Sequence, residues 1–349
     1  MEEILARQRA ADYLWSQQGE DGGWHSVTYG ALRPGAALTA LILRALATVP
    51  SVANNAAPRR QAAAAAVNFL RRGIAKRGCL AAPDGTLDYP VYASSLALLT
   101  VQPDWPLWTM AEQRLLAEYL LKSQWSVARG LAATDPDRGG WDAAGSTTAR
   151  EQSTGTNISL ARHALQAIAR ERQAVRPAVG PAAWPEPWQA LRRAALEWLA
   201  RCQNQDGDGG FFFSPVRSAS DNKAGWHDDA HQSPRSYHSA TCDGILAYQA
   251  LGLAPTDPPL AAALRWLEQF DQPVAEWETS LRFYRAAAEQ ALGPMLSVAE
   301  RSDREDRRVR ALLDDQRADG SWQNRAVRMR EDDPLLATAL ALVALQPLP

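Results

Sequence analysis

The chain has 349 residues, 46% of them hydrophobic, with 37 basic against 39 acidic side chains and a formal net charge of −2. Such balance, with no basic stripe, lacks the electrostatic footprint of a nucleic-acid binder. Cys79, Cys202 and Cys242 are odd in number and far apart, so they form neither a disulfide framework nor a Cys-x-x-Cys zinc pair, as suits a reducing compartment.

Along the chain, amphipathic segments alternate with wholly apolar ones. Glu2–Gln18 sets Ile4, Leu5, Ala11 and Leu14 among charged residues, the pattern of an outer helix with one apolar face. Gly22-Gly23 allows a sharp reversal. Pro34, suited to a first helical turn, then leads into Ala36–Ala47, apolar nearly all round as a buried inner helix must be. Pro58–Arg72 and Tyr89–Thr100 form the second such pair, and Ala111–Gln124 and Asn157–Ala169 the third. Trp188–Gln203 pairs with Ser236–Leu251, Leu260–Phe270 with Trp277–Leu292, and Glu305–Gln316 with Pro334–Leu345. Six alternating pairs predict an all-α fold, an (α/α)6 toroid with outer helices antiparallel to an inner ring, read as a single domain over 1–349.

Three connections, 126–156, 171–187 and 212–235, are longer than tight pairs need, and long ordered loops are usually functional. The stretch 171–187 is rich in Pro and Ala and reads as a surface excursion. The other two enter inner helices from the same end and are expected to crowd one mouth of a central cavity. The start, Glu2-Glu3-Ile4-Leu5, is already helical in pattern, so the expectation is a cytoplasmic protein or one whose export leader has been removed. The longest clean apolar run, Leu335–Leu345, falls well short of the ~18 residues of a spanning helix. A soluble or peripheral protein is expected.

One phrase recurs through these pairs. Tyr13–Trp24 reads as an aromatic-Leu helix end, a Gln, and an Asp-Gly-Gly turn closed by Trp. Tyr119-Leu120 leads to Gln124 and Gly139-Gly140-Trp141, Trp198-Leu199 to Gln203 and Gly209-Gly210-Phe211, and Leu312-Leu313 to Gln316 and Asp319-Gly320-Ser321-Trp322. Phe69-Leu70 with Gly78, and Trp266-Leu267 before Trp277, are weaker copies. A repeat of this kind decides the architecture. It resembles the Gln-Trp repeat of the terpenoid cyclase and prenyltransferase superfamily, which includes squalene-hopene cyclases, oxidosqualene cyclases and protein prenyltransferase β-subunits. Trp24, Trp141 and Trp322 then read as staples over the turns.

The resemblance implies a cavity for an apolar isoprenoid, with cyclisation begun by protonating an alkene, or prenyl transfer. Cyclases of this kind use an Asp-x-Asp-Asp element, which the chain lacks. Asp135-Pro136-Asp137 is followed by Arg138, and Asp228-Asp229 by Ala230, while Glu331-Asp332-Asp333-Pro334 reads as a cap on the last inner helix. Protein prenyltransferases hold zinc with an Asp, a Cys two residues later and a distant His. Here Ala240 stands two before Cys242 and no His follows His238, so that site does not carry over. His227, Asp228, Asp229, His231 and His238 are of metal-binding type, but their spacing matches no metal motif and a polar loop gives the same letters. No metal or cofactor is assigned.

Ser236–Leu251 is small and polar where the other inner segments are rich in Ala and Leu. Asp243 and His238 of this segment, with Asp229 of the loop before it, are the candidate catalytic residues. Asp243 reads either as a buried acid kept protonated, or as an acid satisfied by Ser239, Arg235 or backbone. Trp226, Tyr237, Tyr29, Tyr92, Trp277, Tyr284, Arg235 and Asp142 are candidates to line a substrate, because aromatic faces stabilise carbocations by roughly 0.5–2 kcal/mol each. Two other readings stay open. One is a non-catalytic toroid that binds a partner or peptide at its mouth; the other is a carbohydrate-active toroid with paired acids.

Overall fold

The computed structural model describes residues 2–49, 56–100, 108–145, 155–175, 185–216, 222–227, 234–269, 281–325 and 330–346. They contain twelve α-helices, with isolated bridges between Gln203 and Phe211 and between Trp226 and Pro234 in place of strands. The outer helices are α1 (Glu2–Ser16), α3 (Ala56–Arg77), α5 (Met110–Ser123), α7 (Trp188–Arg201), α9 (Pro258–Gln269) and α11 (Val298–Asp315). Alternating with them are α2 (Ala36–Leu46), α4 (Pro90–Leu99), α6 (Ile158–Val175), α8 (His238–Ala250), α10 (Arg282–Ala291) and α12 (Pro334–Ala344).

Every predicted pair is present, with shifted ends. Helix α11 starts at Val298 rather than Glu305, because its first two turns are charged and carry no apolar period to reveal them. Helix α6 runs on to Val175, so the first residues of the expected 171–187 loop are helical. Helix α10 is described from Arg282, and its expected beginning at Trp277 lies outside the described residues.

Two compact units emerge, Met1–Gln113 with Thr279–Pro349, and Arg114–Glu278. In the first, the apolar helices pack in the order α10, α12, α2, α4, with α1 and α11 against α12 and α3 against α2. In the second, α6 packs on α8, and α9 on α8. Burial follows the sequence pattern: every residue of α2 except Arg44 is buried.

The recurring turn has a recurring geometry. The indole N–H of Trp24 donates to the Leu14 carbonyl at 2.7 Å, and those of Trp141 and Trp322 to Leu120 and Leu312 at 2.8 Å, which satisfies carbonyls that a helix end leaves over. The repeat glutamine reaches both its own turn and the next outer helix. Gln18 donates to Gly22 and Ala62, Gln124 to Gly139 and Leu191, Gln203 to Gly209 and Pro259, and Gln316 to Gly320 and Ala6. Gly22, at φ 93°, must be glycine twice over, since a Cβ there would meet the Ala65 carbonyl oxygen at 2.6 Å. At the opposite helix ends, arginines from the outer layer take the last carbonyls. Arg7 donates to Thr48, Arg192 to Leu251 and Arg308 to Ala344, placing cations where the helix dipole is negative.

Phe211 occupies the staple position of the Gln203 repeat, edge-on to Tyr248 at 5.5 Å. A Cβ on Gly244 would lie 2.4 Å from its ring. Gly244→Ala is therefore expected to lower stability by about 1–3 kcal/mol through overpacking. Urea denaturation tests this, and an unchanged midpoint would mean that Phe211 has room to move aside.

Candidate functional site

In the first unit, the N-terminal ends of α2, α4, α10 and α12 come together. Each such start leaves backbone N–H groups without intrahelical partners and carries the positive end of a dipole. Four carboxylates gather there. Asp333 caps its own helix, accepting from Leu335 at 2.9 Å and Leu336 at 3.3 Å, and also accepts from the Ser26 hydroxyl. Glu331 instead serves the neighbouring helix, accepting from the amides of Phe283 at 3.2 Å and Tyr284 at 2.7 Å, with Asn324 at 3.1 Å. Asp332 accepts from the Tyr29 hydroxyl. Asp88, just before α4, accepts from the Ala37 amide of α2 at 3.3 Å through both oxygens. The cap expected of the acidic cluster is thus real for Asp333, while Glu331 and Asp332 act elsewhere.

Two of these acids hold protons unusually well. Burial pushes Asp88 up to about 7, against the pull of the amides of Ala37, Gly35 and Ala36. Burial likewise pushes Glu331 up to about 7, against the amides and Asn324. The Tyr29 phenol is pushed up to about 12 by burial and by Asp332.

Aromatic rings and one cation complete the cluster. The Arg330 guanidinium carbon lies 5.3 Å from the ring centres of both Tyr29 and Tyr89. Tyr92 meets Tyr89 edge-on at 6.5 Å. Among the described residues, Tyr89 at φ 49° and Arg330 at φ 61° are the non-glycine residues with positive φ, and they touch each other. Left-handed backbone costs about 1–3 kcal/mol per residue and persists where surroundings enforce it, often at functional sites. The Arg330 side chain donates a hydrogen bond to no described group. A guanidinium near two aromatic rings, in a cluster that also holds protonatable acids, can seat a polar head and place a proton donor among aromatic faces.

The sequence-predicted residues divide between the units. Tyr29, Tyr92 and Tyr284 fall in this first-unit cluster, Tyr284 through its amide bond to Glu331. In the second unit, Asp243 lies 3.9 Å from Arg162 of α6, with both side chains buried. His238 opens α8, with Nδ1 3.6 Å from the Cys242 sulfur. Tyr237 is buried at the N-cap of α8, its ring 5.8 Å from the Lys223 ammonium. Trp226 is half-buried and bridged to Pro234. Arg235 is exposed, its amide bonded to Gly225 at 3.0 Å. Asp142 is fully buried and accepts from the Gly145 amide at 2.8 Å, shaping its loop. Asp229 and Trp277 lie outside the described residues, as do Asp228 and His231, while His227 is exposed. Among the described residues no group of three or more His, Cys, Asp or Glu could hold a metal ion.

Asp88, Arg330 and Arg162 were not singled out from the sequence. The signal for Asp88 was present, since Asp88-Tyr89-Pro90 and Asp332-Asp333-Pro334 both set an acid ahead of a helix-opening proline. Arg162-His163 likewise interrupts the mostly apolar first half of α6.

No protein-family model matches the chain, and no curated protein matches its sequence. Solved structures do match. A variant of the type II terpene cyclase MstE from Scytonema, ligand-free, superposes with a TM-score of 0.61 at 14% identity, covering 100% of this chain and 98% of that one. Another ligand-free MstE structure gives 0.57 at 14% identity, covering 99% and 97%. A third, an MstE variant in complex with its substrate geranylgeranyl dihydroxybenzoate, gives 0.55 at 15% identity, covering 100% and 98%. The likeness shows the fold: the chain is all-α, of the terpenoid-cyclase-like α/α-toroid class that its helix pairs predicted.

Proposed function

We propose that the protein binds an isoprenoid carrying a polar head and cyclises it by protonating an alkene, with Asp88 as the proton donor. The observation that carries this is the first-unit cluster, in which Asp88, raised to about 7, directly precedes Tyr89, whose ring centre lies 5.3 Å from the Arg330 guanidinium. The full-length likeness to a type II terpene cyclase supports it. An acid with a pKa near the working pH combines a populated protonated form with useful driving force. Asp243 fits this role less well, because it faces a guanidinium.

In this reading the Arg330 fork takes oxygens of the head group, as guanidinium does for carboxylates and phenols. Asp88 gives its proton to an alkene carbon, and the π electrons form the new C–H bond. Further π bonds attack the cation in turn, Tyr92 offering an aromatic face to the developing charge. Loss of a proton ends the sequence, so substrate and product are isomers. Tyr284 of this cluster is proposed to line the hydrocarbon.

The test is incubation of the full chain with geranylgeranyl dihydroxybenzoate and with simpler polyprenyl arenes, followed by chromatography and mass spectrometry for an isomeric cyclic product. Asp88→Asn is expected to keep helical circular dichroism yet lower turnover by about 10²–10⁴. Arg330→Ala should chiefly raise KM. Absence of binding and product across the series, or full turnover by Asp88→Asn, would overturn the reading.

A further inference from the structure

We infer that the second unit contains a polar subsite, built on Arg162, for a neutral oxygen of an isoprenoid molecule, an inference that rests on the isoprenoid reading above. The Arg162 side chain keeps 4% of its surface open to solvent, in the packed pair α6 and α8. Its Nη1 donates to His163 Nε2 at 2.9 Å. A guanidinium has no lone pair to offer, so Nε2 must accept, and the His163 proton sits on Nδ1, donated to the Ser159 carbonyl at 2.8 Å. His163 is therefore neutral and holds one edge of the guanidinium in place.

The other edge is unmet. Nε is buried without a hydrogen-bond partner, and no described group accepts from Nη2. Asp243 Oδ1, at 3.9 Å, balances the charge but lies beyond hydrogen-bond reach. Buried donors are nearly always satisfied, and leaving one unmade is costly, so an unfilled guanidinium edge calls for an acceptor from outside the chain. Nε–H and Nη2–H point in parallel and suit one or two oxygens. The carboxylate of Asp243 already neutralises the site, and a second anion would be held beside it in a poorly screened interior. A carbonyl or hydroxyl oxygen meets no such repulsion. The fitting ligand is thus an isoprenoid with an uncharged oxygenated group.

The experiment measures binding to the full chain, by intrinsic tryptophan fluorescence, of three probes on one geranylgeranyl chain: a methyl ketone, the matching carboxylic acid and the matching hydrocarbon. The wild type should prefer the ketone over the hydrocarbon by about tenfold or more, the scale of one hydrogen bond to a charged donor, with no gain for the acid. Arg162→Met should erase that preference and leave hydrocarbon binding unchanged. Because it removes the charge that faces Asp243, Arg162→Met combined with Asp243→Leu is measured alongside. The double variant should keep its melting temperature within a few degrees, as apolar replacements of buried pairs often do, and lose the preference. Equal binding of ketone and hydrocarbon by the wild type overturns the subsite and leaves the isoprenoid reading standing. Arg162-dependent ketone binding without hydrocarbon binding supports the subsite and sinks that reading; binding of no probe sinks both. A preference retained by the double variant, or a collapse of its melting temperature, would mean that the pair is structural.

Discussion

Trp24→Ala and Trp322→Ala are each expected to remove about 3–5 kcal/mol of stability, the usual cost of truncating a large buried aromatic. Both indoles are fully buried, and both donate to the last carbonyls of the preceding helix. Each also fixes the inner helix, since the backbone N–H of Trp24 donates to Thr39 and that of Trp322 to Thr338. Alanine keeps this backbone bond but leaves a cavity and loses the indole bond to the helix end. A domain stable by only about 5–15 kcal/mol feels such a loss at once. Urea denaturation should show a large drop in midpoint, with ligand affinity of the remaining folded protein unchanged. If either variant keeps its midpoint and loses binding, these tryptophans belong to the site rather than to the turn.

Stability should also fall as pH rises from about 4 to about 7. The folded-state pKa of Asp88 is raised from 3.8 to about 7, so the folded chain binds the proton more tightly than the unfolded one. Its contribution is fully present below about 4 and is lost as pH passes through about 7. A rise of about three units corresponds to about 4 kcal/mol at 1.36 kcal/mol per unit. Glu331, raised from 4.5 to about 7, adds a loss of the same sign in the same window. Asp21, Glu112 and Asp319 are shifted down, and their opposite contribution falls at lower pH. Urea midpoints at pH 4.5, 6 and 8 would trace the decline, and Asp88→Asn should remove about half of it. A wild-type midpoint that rises through this window contradicts the protonated acid, and with it the proton donor.

The helix pairs were legible because their two periodicities are local. A one-sided stripe such as Ile4, Leu5, Ala11 and Leu14 and an all-round apolar run such as Ala36–Ala47 can be read within a dozen residues. Tyr29, Tyr92 and Tyr284 could be named as candidates, but not the convergence that makes them a cluster. Asp88 looked like any residue ahead of a helix, since what raises its pKa is burial against amides of α2, 51 positions earlier. The same limit applied to Asp243. Ser239 and Arg235 stood near it in sequence, whereas the charged group that faces it, Arg162, comes from another helix. Arg330 drew no notice because its role depends on two rings and on a backbone conformation that no side-chain pattern encodes.

The bond from Gln316 to the Ala6 carbonyl spans 310 positions, and Gly320 fits against the Arg9 backbone beside it. Helix α1 is thus synthesised some 310 positions before the residue that completes its face. An open solenoid can nucleate at any repeat and extend from there. Here the growing chain carries an unfinished α1 face until those 310 positions have been made. Contacts of such separation are slow to form, because loop-closure entropy must be met before they contribute. Docking of α11 and its turn onto α1 is therefore the step that covers the α1 face, and until then the nascent chain depends on whatever keeps that face from aggregating.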